Sequence, residues 1–380
     1  MKQPFSLIRK DGFQTLLASL VCILGGILVG YISLLVIEPT GAFEAMIAIL
    51  KSFFRFPGKL QMKYFGQTLV RTVPLVLCAL SVLFAYKVGM FNIGVAGQYV
   101  AGACGCLYAA LAWNLPWYVC LLIGMAAAAL LGAISGMLKT YCNVNVVISG
   151  IMLNWIVLYL TNLVLTEVKD PNSPYTKMLQ GNNNEALLPD IGLRNLLGGE
   201  KSVTIAIPLA VVAAILVWVI LNKTKFGYEL KATGHNYHAA KYAGMKEDRN
   251  IILSMVISGA LAGLGAGLLY LTGIEVWETT VSSVPGMGFN GIAVAFLGGL
   301  SPIGSILSAF FIQYITFGGG NVDLQVYCSQ ISSLISSLII YLCAFVAFFK
   351  FFIGDRIRRS DEKRENALKA LEEKKGGEEV

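Results

Sequence analysis

Ten apolar runs divide this chain, near residues 16–37, 68–86, 94–113, 117–138, 144–165, 203–222, 251–271, 289–300, 303–317 and 327–349. A helix needs about 20 apolar residues to cross the hydrocarbon of a bilayer, and most of these runs approach that length. Lipid offers no water to a bare peptide group, so such runs must bond internally as helices. Of 380 residues, 56% are hydrophobic and 13% charged, against roughly 25% charged in soluble domains. The fold class that follows is all-α: a polytopic helical membrane protein with about ten transmembrane helices. The eighth and ninth runs are short, and Ser301, Pro302 and Gly304 separate them. They read either as two spans or as the half-helices of a re-entrant element. The 40 glycines suit close approach of helices in lipid.

The spans set the organisation: a transmembrane body over 1–350 and a charged tail over 351–380. Lys2, Arg9 and Lys10 precede the first run, which is too long for a signal-peptide core and has no small-x-small cleavage site, so it is expected to be retained. Lys and Arg gather on one side of the alternating spans, in residues 1–15, at Lys87 and Lys139, in the loop 222–250 and in the tail. The positive-inside rule then places both termini in the cytoplasm. Four cations between 39 and 65 run against this bias. There Ala45, Ile49, Phe53 and Phe56 recur at helical spacing, as on an amphipathic helix lying at the surface. Residues 166–202, with Asn182, Asn183 and Asn184, form the long external polar loop, a cover for the outer mouth, a partner's landing site or a plain solvated loop.

Phe91-Asn92-Ile93-Gly94 opens the third span and Phe289-Asn290-Gly291 opens the eighth. Five spans separate them, so they face opposite sides. That is the arrangement of an inverted-topology repeat of two five-helix halves, although two short matches also arise by chance.

Enzymatic signatures are missing. There is no G-x-x-x-x-G-K-[ST], no H-E-x-x-H and no G-x-S-x-G. The eight cysteines lie in or beside apolar runs with no C-x-x-C pair, so neither a metal site nor a disulfide framework is expected. No cofactor is implied, and nothing resembles a nucleic-acid footprint. No carboxylate lies inside a span, which argues against ion-coupled transport. Arg71 is the one charge within a run, either facing a cavity or snorkelling to the interface. In the loop 222–250, Asn236 is a candidate N-cap, Ala239 to Ala243 a short helix and Gly244 its C′ residue, with Gly234 closing the other end. A compact knob of this kind can dock on a soluble motor; the plain alternative is an ordinary inter-helix loop.

Four blocks carry a resemblance: FNIGVAGQ at 91–98, VVISGIMLNWIVLYL at 146–160, GYELKATGHNYHAAKYAGM at 227–245 and GFNGIAVAFLGGLSPIGSILSAFF at 288–311. With them the chain, over about 66–349, resembles the permease subunits of bacterial ABC importers for simple sugars and nucleosides, in the branched-chain amino acid and ribose permease superfamily. The first two blocks lean to the nucleoside branch. The resemblance implies a subunit of the bacterial cell membrane with no ATPase site of its own. Its implied partners are an ABC ATPase, a second permease subunit and an extracellular substrate-binding lipoprotein. One departure is Ala96, where the family usually has Glu, and it favours a non-identical second permease.

The resemblance makes the loop the coupling element, with Gly234, Asn236, His238, Ala239, Ala240, Tyr242 and Gly244 as its residues. An uncharged substrate calls for neutral donors and acceptors along its path, which nominates Asn92, Gln98, Asn154 and Asn290. Each of these is equally a candidate for inter-helix hydrogen bonding. Trp155 points away from Asn154 on a helix and cannot share its wall. Arg71, Gly94, Gly97, Gly298 and Gly299 are expected in structural or gating roles. Two other readings stand beside this one: a stand-alone facilitator or secondary carrier, and a membrane scaffold that transports nothing.

Overall fold

The computed structural model describes residues 11–322 and 330–343 and, with interruptions, 345–359. Residues 1–10 and most of the charged tail 351–380 lie outside the described residues. The helices are α1 (Asp11–Ile37), α2 (Ala42–Lys51), α3 (Gly58–Tyr86), α4 (Val95–Leu111), α5 (Trp117–Cys142), α6 (Val146–Leu165), α7 (Leu193–Leu196), α8 (Ala206–Lys223), α9 (Lys225–His235), α10 (Tyr237–Tyr242), α11 (Glu247–Tyr270), α12 (Met287–Leu297), α13 (Pro302–Gly318) and α14 (Ile331–Cys343).

Every apolar run contains a helix. Among the described residues seven are long and apolar enough to cross a membrane, and α4, α12 and part of α14 are shorter apolar helices. The 11 residues of α12 rise only about 16 Å, roughly half the hydrocarbon thickness. It is therefore a half-helix, reached through the non-helical stretch 271–286. Its end is set by backbone bonds from Leu300 N–H to Ala295 O and from Gly299 N–H to Phe296 O, both 2.9 Å. Gly299 takes φ +63° there, the left-handed conformation that such an ending needs. The chain then folds back as α13, and Ser308 Oγ donates to the Val294 carbonyl at 2.9 Å across the hairpin.

Helices α3 and α11 run through the centre and pack on each other. The longest packing seam is α5 along α11. Added Cβ atoms on Gly132 and Gly259 would strike the Met255 and Ala128 carbonyls. Lipid supplies no hydrophobic drive for helix association, so close backbone packing at small residues holds this seam.

The packing pattern has an internal symmetry. α4 packs on α5, α6 and α11, while α12 packs on α13, α14 and α3. Exchanging α3 with α11, α4 with α12, α5 with α13 and α6 with α14 turns one set into the other. The α3–α11 and α4–α12 contacts map onto themselves. The outer helices break the pattern: α1 packs along α14, and among the described residues no comparable α8–α6 seam answers it.

The segment 39–65 forms α2, with Ala45 and Ile49 buried, followed by a 3₁₀ turn over Ser52–Arg55 with Phe53 buried. Phe56 lies beyond that turn, its ring 4.3 Å from Tyr64. Helix α3 starts at Gly58, well ahead of the apolar run at 68, and carries a more polar first stretch.

Candidate functional site

The start of α4 is a buried polar hub. Asn92, in the non-helical stretch before α4, donates from Nδ2 to Gln98 Oε1 and to Ser258 Oγ, each at 2.9 Å. Ser258, on α11, passes its own proton to the Ser81 carbonyl of α3 at 2.8 Å. Asn154 of α6 caps α4 from outside: its Oδ1 accepts from the Gly97 N–H at 2.7 Å, and its Nδ2 donates to the Ile93 carbonyl at 3.2 Å. No side chain of α4's own N-cap, Gly94, does this work. Burying these amides is tolerable because they find partners in other helices. Asn92 Oδ1 and Gln98 Nε2 have no partner among the described residues. Gly94 and Gly97 let α6 approach: a Cβ on Gly94 would lie 3.4 Å from the Gly150 Cα, and one on Gly97 2.9 Å from the Asn154 Cα.

The start of α12 is built differently. Asn290 is exposed, and Phe289 beside it is 40% exposed. No hydrogen bond ties the Asn290 side chain among the described residues. Thus Asn92 is locked into the core at α4 while Asn290 is open at α12, although the phenylalanines before them are nearly equally exposed, Phe91 at 37% and Phe289 at 40%. The starts of α4 and α12 meet. A Cβ on Gly288 would overlap the Cα of Ala96, and Ala96 is fully buried. A side chain as long as glutamate at position 96 would have to displace α12. Gly298 sits against the backbone of Gly304 and Ser305 in the α12–α13 turn. Gly298 and Gly299 thus form the hairpin, and they also line a cavity between it and α1, with Ser19, Leu20, Ile303 and Leu307.

Arg71 is exposed, with Nη2 3.7 Å from Glu275 Oε1. Its charge is carried by a partner in the stretch 271–286. That stretch is laced to the loop 166–202. Thr176 N–H donates to the Trp277 carbonyl at 2.8 Å, and Thr279 N–H to the Pro174 carbonyl at 2.9 Å. Asn162 of α6 joins in, donating to the Val281 carbonyl at 2.8 Å and accepting from Trp277 Nε1 at 2.9 Å. Trp155 and Tyr159 lie on the exposed face of α6, rings 6.2 Å apart, on the opposite side from Asn154.

At the other end, the loop 222–250 folds into two helices. Thr224 caps α9, accepting from Gly227 N–H at 3.1 Å. Asn236 caps α10, accepting from Ala239 N–H at 2.9 Å. Helix α10 closes with bonds from Gly244 N–H to Lys241 O, 2.9 Å, and from Met245 N–H to Ala240 O, 3.1 Å. Gly244 takes φ +75° there. Gly234 is not an end of this knob. It lies inside α9, where a Cβ would strike the Lys87 carbonyl and come within 2.9 Å of Gly89 N. His238, Ala239 and Gly244 are exposed, Ala240 is buried, and Tyr242 is 93% exposed. Tyr237 donates to Asp248 Oδ1 at 2.9 Å, which raises its phenol above the ordinary value. Lys241 and Glu247 pair at 3.3 Å. Burial, then the charge of Lys231, lowers the Lys87 ammonium.

Ser81, Ser258, Asn162 and Glu275 join these sites without having been singled out in the sequence. A serine within an apolar run is common as a small packing residue, so nothing local marked the first two. Asn162 carried a usable signal, being an amide in a span like Asn154.

The family model described as "Branched-chain amino acid transport system / permease component" matches residues 64–345. The chain is 34% identical over 296 residues to the guanosine ABC transporter permease protein NupP of Bacillus subtilis, covering 77% of this chain and 84% of that one. It is 33% identical to the nucleoside ABC transporter permease protein NupB of Lactococcus lactis, over 73% of this chain and 78% of that one. A second guanosine permease protein of B. subtilis, NupQ, is 29% identical over 65% of this chain and 78% of its own length. No solved structure matches.

Proposed function

The chain belongs to the family of branched-chain amino acid transport system permease components, and from that premise we propose that it is the membrane subunit of an ATP-driven importer for nucleosides. The observation that carries the substrate class is its similarity, over most of both lengths, to permeases named for guanosine and for nucleosides. That B. subtilis has two such guanosine proteins supports a second, non-identical permease as partner.

The chemistry of the two ends suits this role. The end bearing Lys87, Lys139 and α9–α10 is the cytoplasmic one on the positive-inside rule, with both termini on that side. There α10, capped at both ends and presenting Tyr242, docks on an ABC ATPase that hydrolyses the ATP. The opposite end, where the loops 166–202 and 271–286 interlock, receives an extracellular substrate-binding lipoprotein. Asn290 and Phe289 supply an amide and an aromatic face to an uncharged substrate with hydroxyls and a flat base. Asn92, Gln98 and Asn154 hold the start of α4 and do not face the path in this conformation.

The test is reconstitution of the permease pair with its ATPase and binding protein in liposomes. ATP-dependent uptake of labelled nucleoside is expected, competed by unlabelled nucleosides and not by free sugars. Uptake without ATP or without the ATPase would identify a facilitator and overturn the proposal. Competition by free sugars alone would overturn the substrate class.

A further inference from the structure

The eight residues Lys87–Gly94 touch five helices. Towards the cytoplasmic loop, Gly89 and Gly234 meet backbone to backbone. A Cβ on Gly89 would lie 3.4 Å from the Gly234 carbonyl oxygen, and one on Gly234 would strike the Lys87 carbonyl. No side chain cushions this contact, so displacement of α9 is passed on directly. Towards α12, Phe91 lies 6.1 Å from Phe296, with Tyr86, the last residue of α3, 5.4 Å from the same ring. Towards the membrane interior, Asn92 bonds Gln98 and Ser258, Ile93 accepts from Asn154, and Gly94 packs on Gly150. One short non-helical stretch thus contacts α9, α12, α11, α6 and α4.

We propose that Lys87–Gly94 is the joint through which motion of the α9–α10 loop reaches the starts of α4 and α12, with Asn92 and Ser258 as its positioning residues. This rests on the reading of that loop as the ATPase dock. Helix α11 is also tied to α9, through Asn250 Nδ2 to Thr233 Oγ1 at 3.2 Å and Arg249 to Glu229 at 3.6 Å. But α11 is one continuous rod packed along α5 and α3. Shifting its end would require shearing that whole close-packed seam. The stretch 87–94 is held instead by short turn bonds to the end of α3, from Val88 N–H to Ala85 O, Gly89 N–H to Tyr86 O and Met90 N–H to Ala85 O, so moving it breaks a few local bonds and no helix–helix seam. The hub it carries also has spare capacity: Asn92 Oδ1 and Gln98 Nε2 lie 3.1 and 3.9 Å from the Gly94 Cβ position, a free acceptor and donor close enough for a second arrangement of the same amides. Coupling between distant sites requires such an element with two arrangements.

The test uses the assembled importer in nanodiscs and reads hydrogen exchange of residues 237–242 and 287–297 with and without a non-hydrolysable ATP analogue. In the wild type the analogue changes exchange in both segments. In Asn92→Ala, Ser258→Ala and Gly234→Ala the response at 237–242 persists, while that at 287–297 is lost. Uptake per ATP hydrolysed falls about tenfold in the same variants. A wild-type response confined to 237–242, or a full response at 287–297 in the variants, overturns the joint. So does a proportional loss of uptake and hydrolysis. Should Gly234→Ala fail to assemble, Ser258→Ala decides alone, since Ala is the better helix former at that position. Absent nucleoside uptake with an intact wild-type response at 287–297 would sink the substrate class and leave the joint standing.

Discussion

The backbone of Gly288 rests directly on Ala96, so closely that a Cβ on the glycine would overlap the alanine's Cα. Helices α4 and α12 therefore touch at their starts, with no room for a side chain on Gly288. Ala96→Glu, which would install the residue usual in the resembled family, is expected to destabilise this chain. A carboxylate at a buried helix position within a membrane costs about 2.5–3.5 kcal/mol on insertion scales, and α12 would have to move as well. Melting in detergent checks this: Ala96→Glu melts well below wild type, whereas Ala96→Ser stays close to it. A wild-type melting curve for the Glu variant would show that the contact is loose.

Asn154 replaces the missing N-cap of α4. Asn154→Leu keeps the volume and removes both bonds, leaving the Gly97 N–H and the Ile93 carbonyl without their partner. A buried polar group left unpaired costs about 1–3 kcal/mol. The neighbouring substitution Trp155→Leu, on the exposed face of the same helix, is expected to stay within about 0.5 kcal/mol. Paired unfolding curves of the two variants make the comparison internally controlled.

The contrast between these two residues also marks what the sequence made legible. Helical period alone put Asn154 and Trp155 on different faces, and run length alone located a helix in each of ten places. The caps of α10 were legible too, because Asn236 and Gly244 act within one or two turns of themselves. What stayed hidden depends on contacts between distant segments. Gly234 looked like the end of a knob because a glycine's local meaning is a break. Its place inside α9 follows from packing on Lys87 and Gly89, about 150 residues away in the chain. Nor could spacing tell that Asn92 would be buried and Asn290 exposed, since both follow a Phe at the start of a short apolar run. Arg71 looked costly within its run, and only the fold brought Glu275 to it.

That pair is nonetheless a weak one for stability. Its side chains are 56% and 41% exposed and its closest approach is 3.7 Å. Exposed ion pairs contribute about 0–1 kcal/mol. Arg71→Ala and Glu275→Ala are each expected to leave thermal stability nearly unchanged, and raised salt should not lower it measurably in the wild type. A loss of several kcal/mol in either variant would mean that the pair is desolvated in the membrane.

Gly244 combines a positive φ with a bonded N–H. Proline can supply neither, since its ring fixes φ near −65° and removes the donor. It also pushes the preceding residue towards extended backbone, away from the φ −77°, ψ 6° that Ala243 holds. Gly244→Pro should unravel the end of α10 and sharply reduce uptake per ATP hydrolysed, while Gly244→Ala, strained by about 1–2 kcal/mol, keeps part of it. Assays of uptake and hydrolysis on the same liposomes separate these outcomes. Wild-type uptake from the Pro variant would remove α10 from the docking role.

Asn290 offers the sharpest separation of path from scaffold. Its side chain is exposed and makes no hydrogen bond among the described residues, whereas Asn92, in the equivalent Phe-Asn pair, joins two. Truncating a group that holds nothing inside the protein should leave folding alone. Truncating one that meets a substrate hydroxyl should weaken that contact by about 0.5–1.5 kcal/mol, the ordinary net worth of a neutral hydrogen bond. Asn290→Ala is therefore expected to melt like wild type and to raise the KM for uptake about twofold to tenfold. Asn92→Ala should lower the melting temperature, because Gln98 and Ser258 lose a buried partner. An unchanged KM in a stably folded Asn290→Ala importer would take this residue off the path, and would leave the open start of α12 as a surface for the second permease subunit.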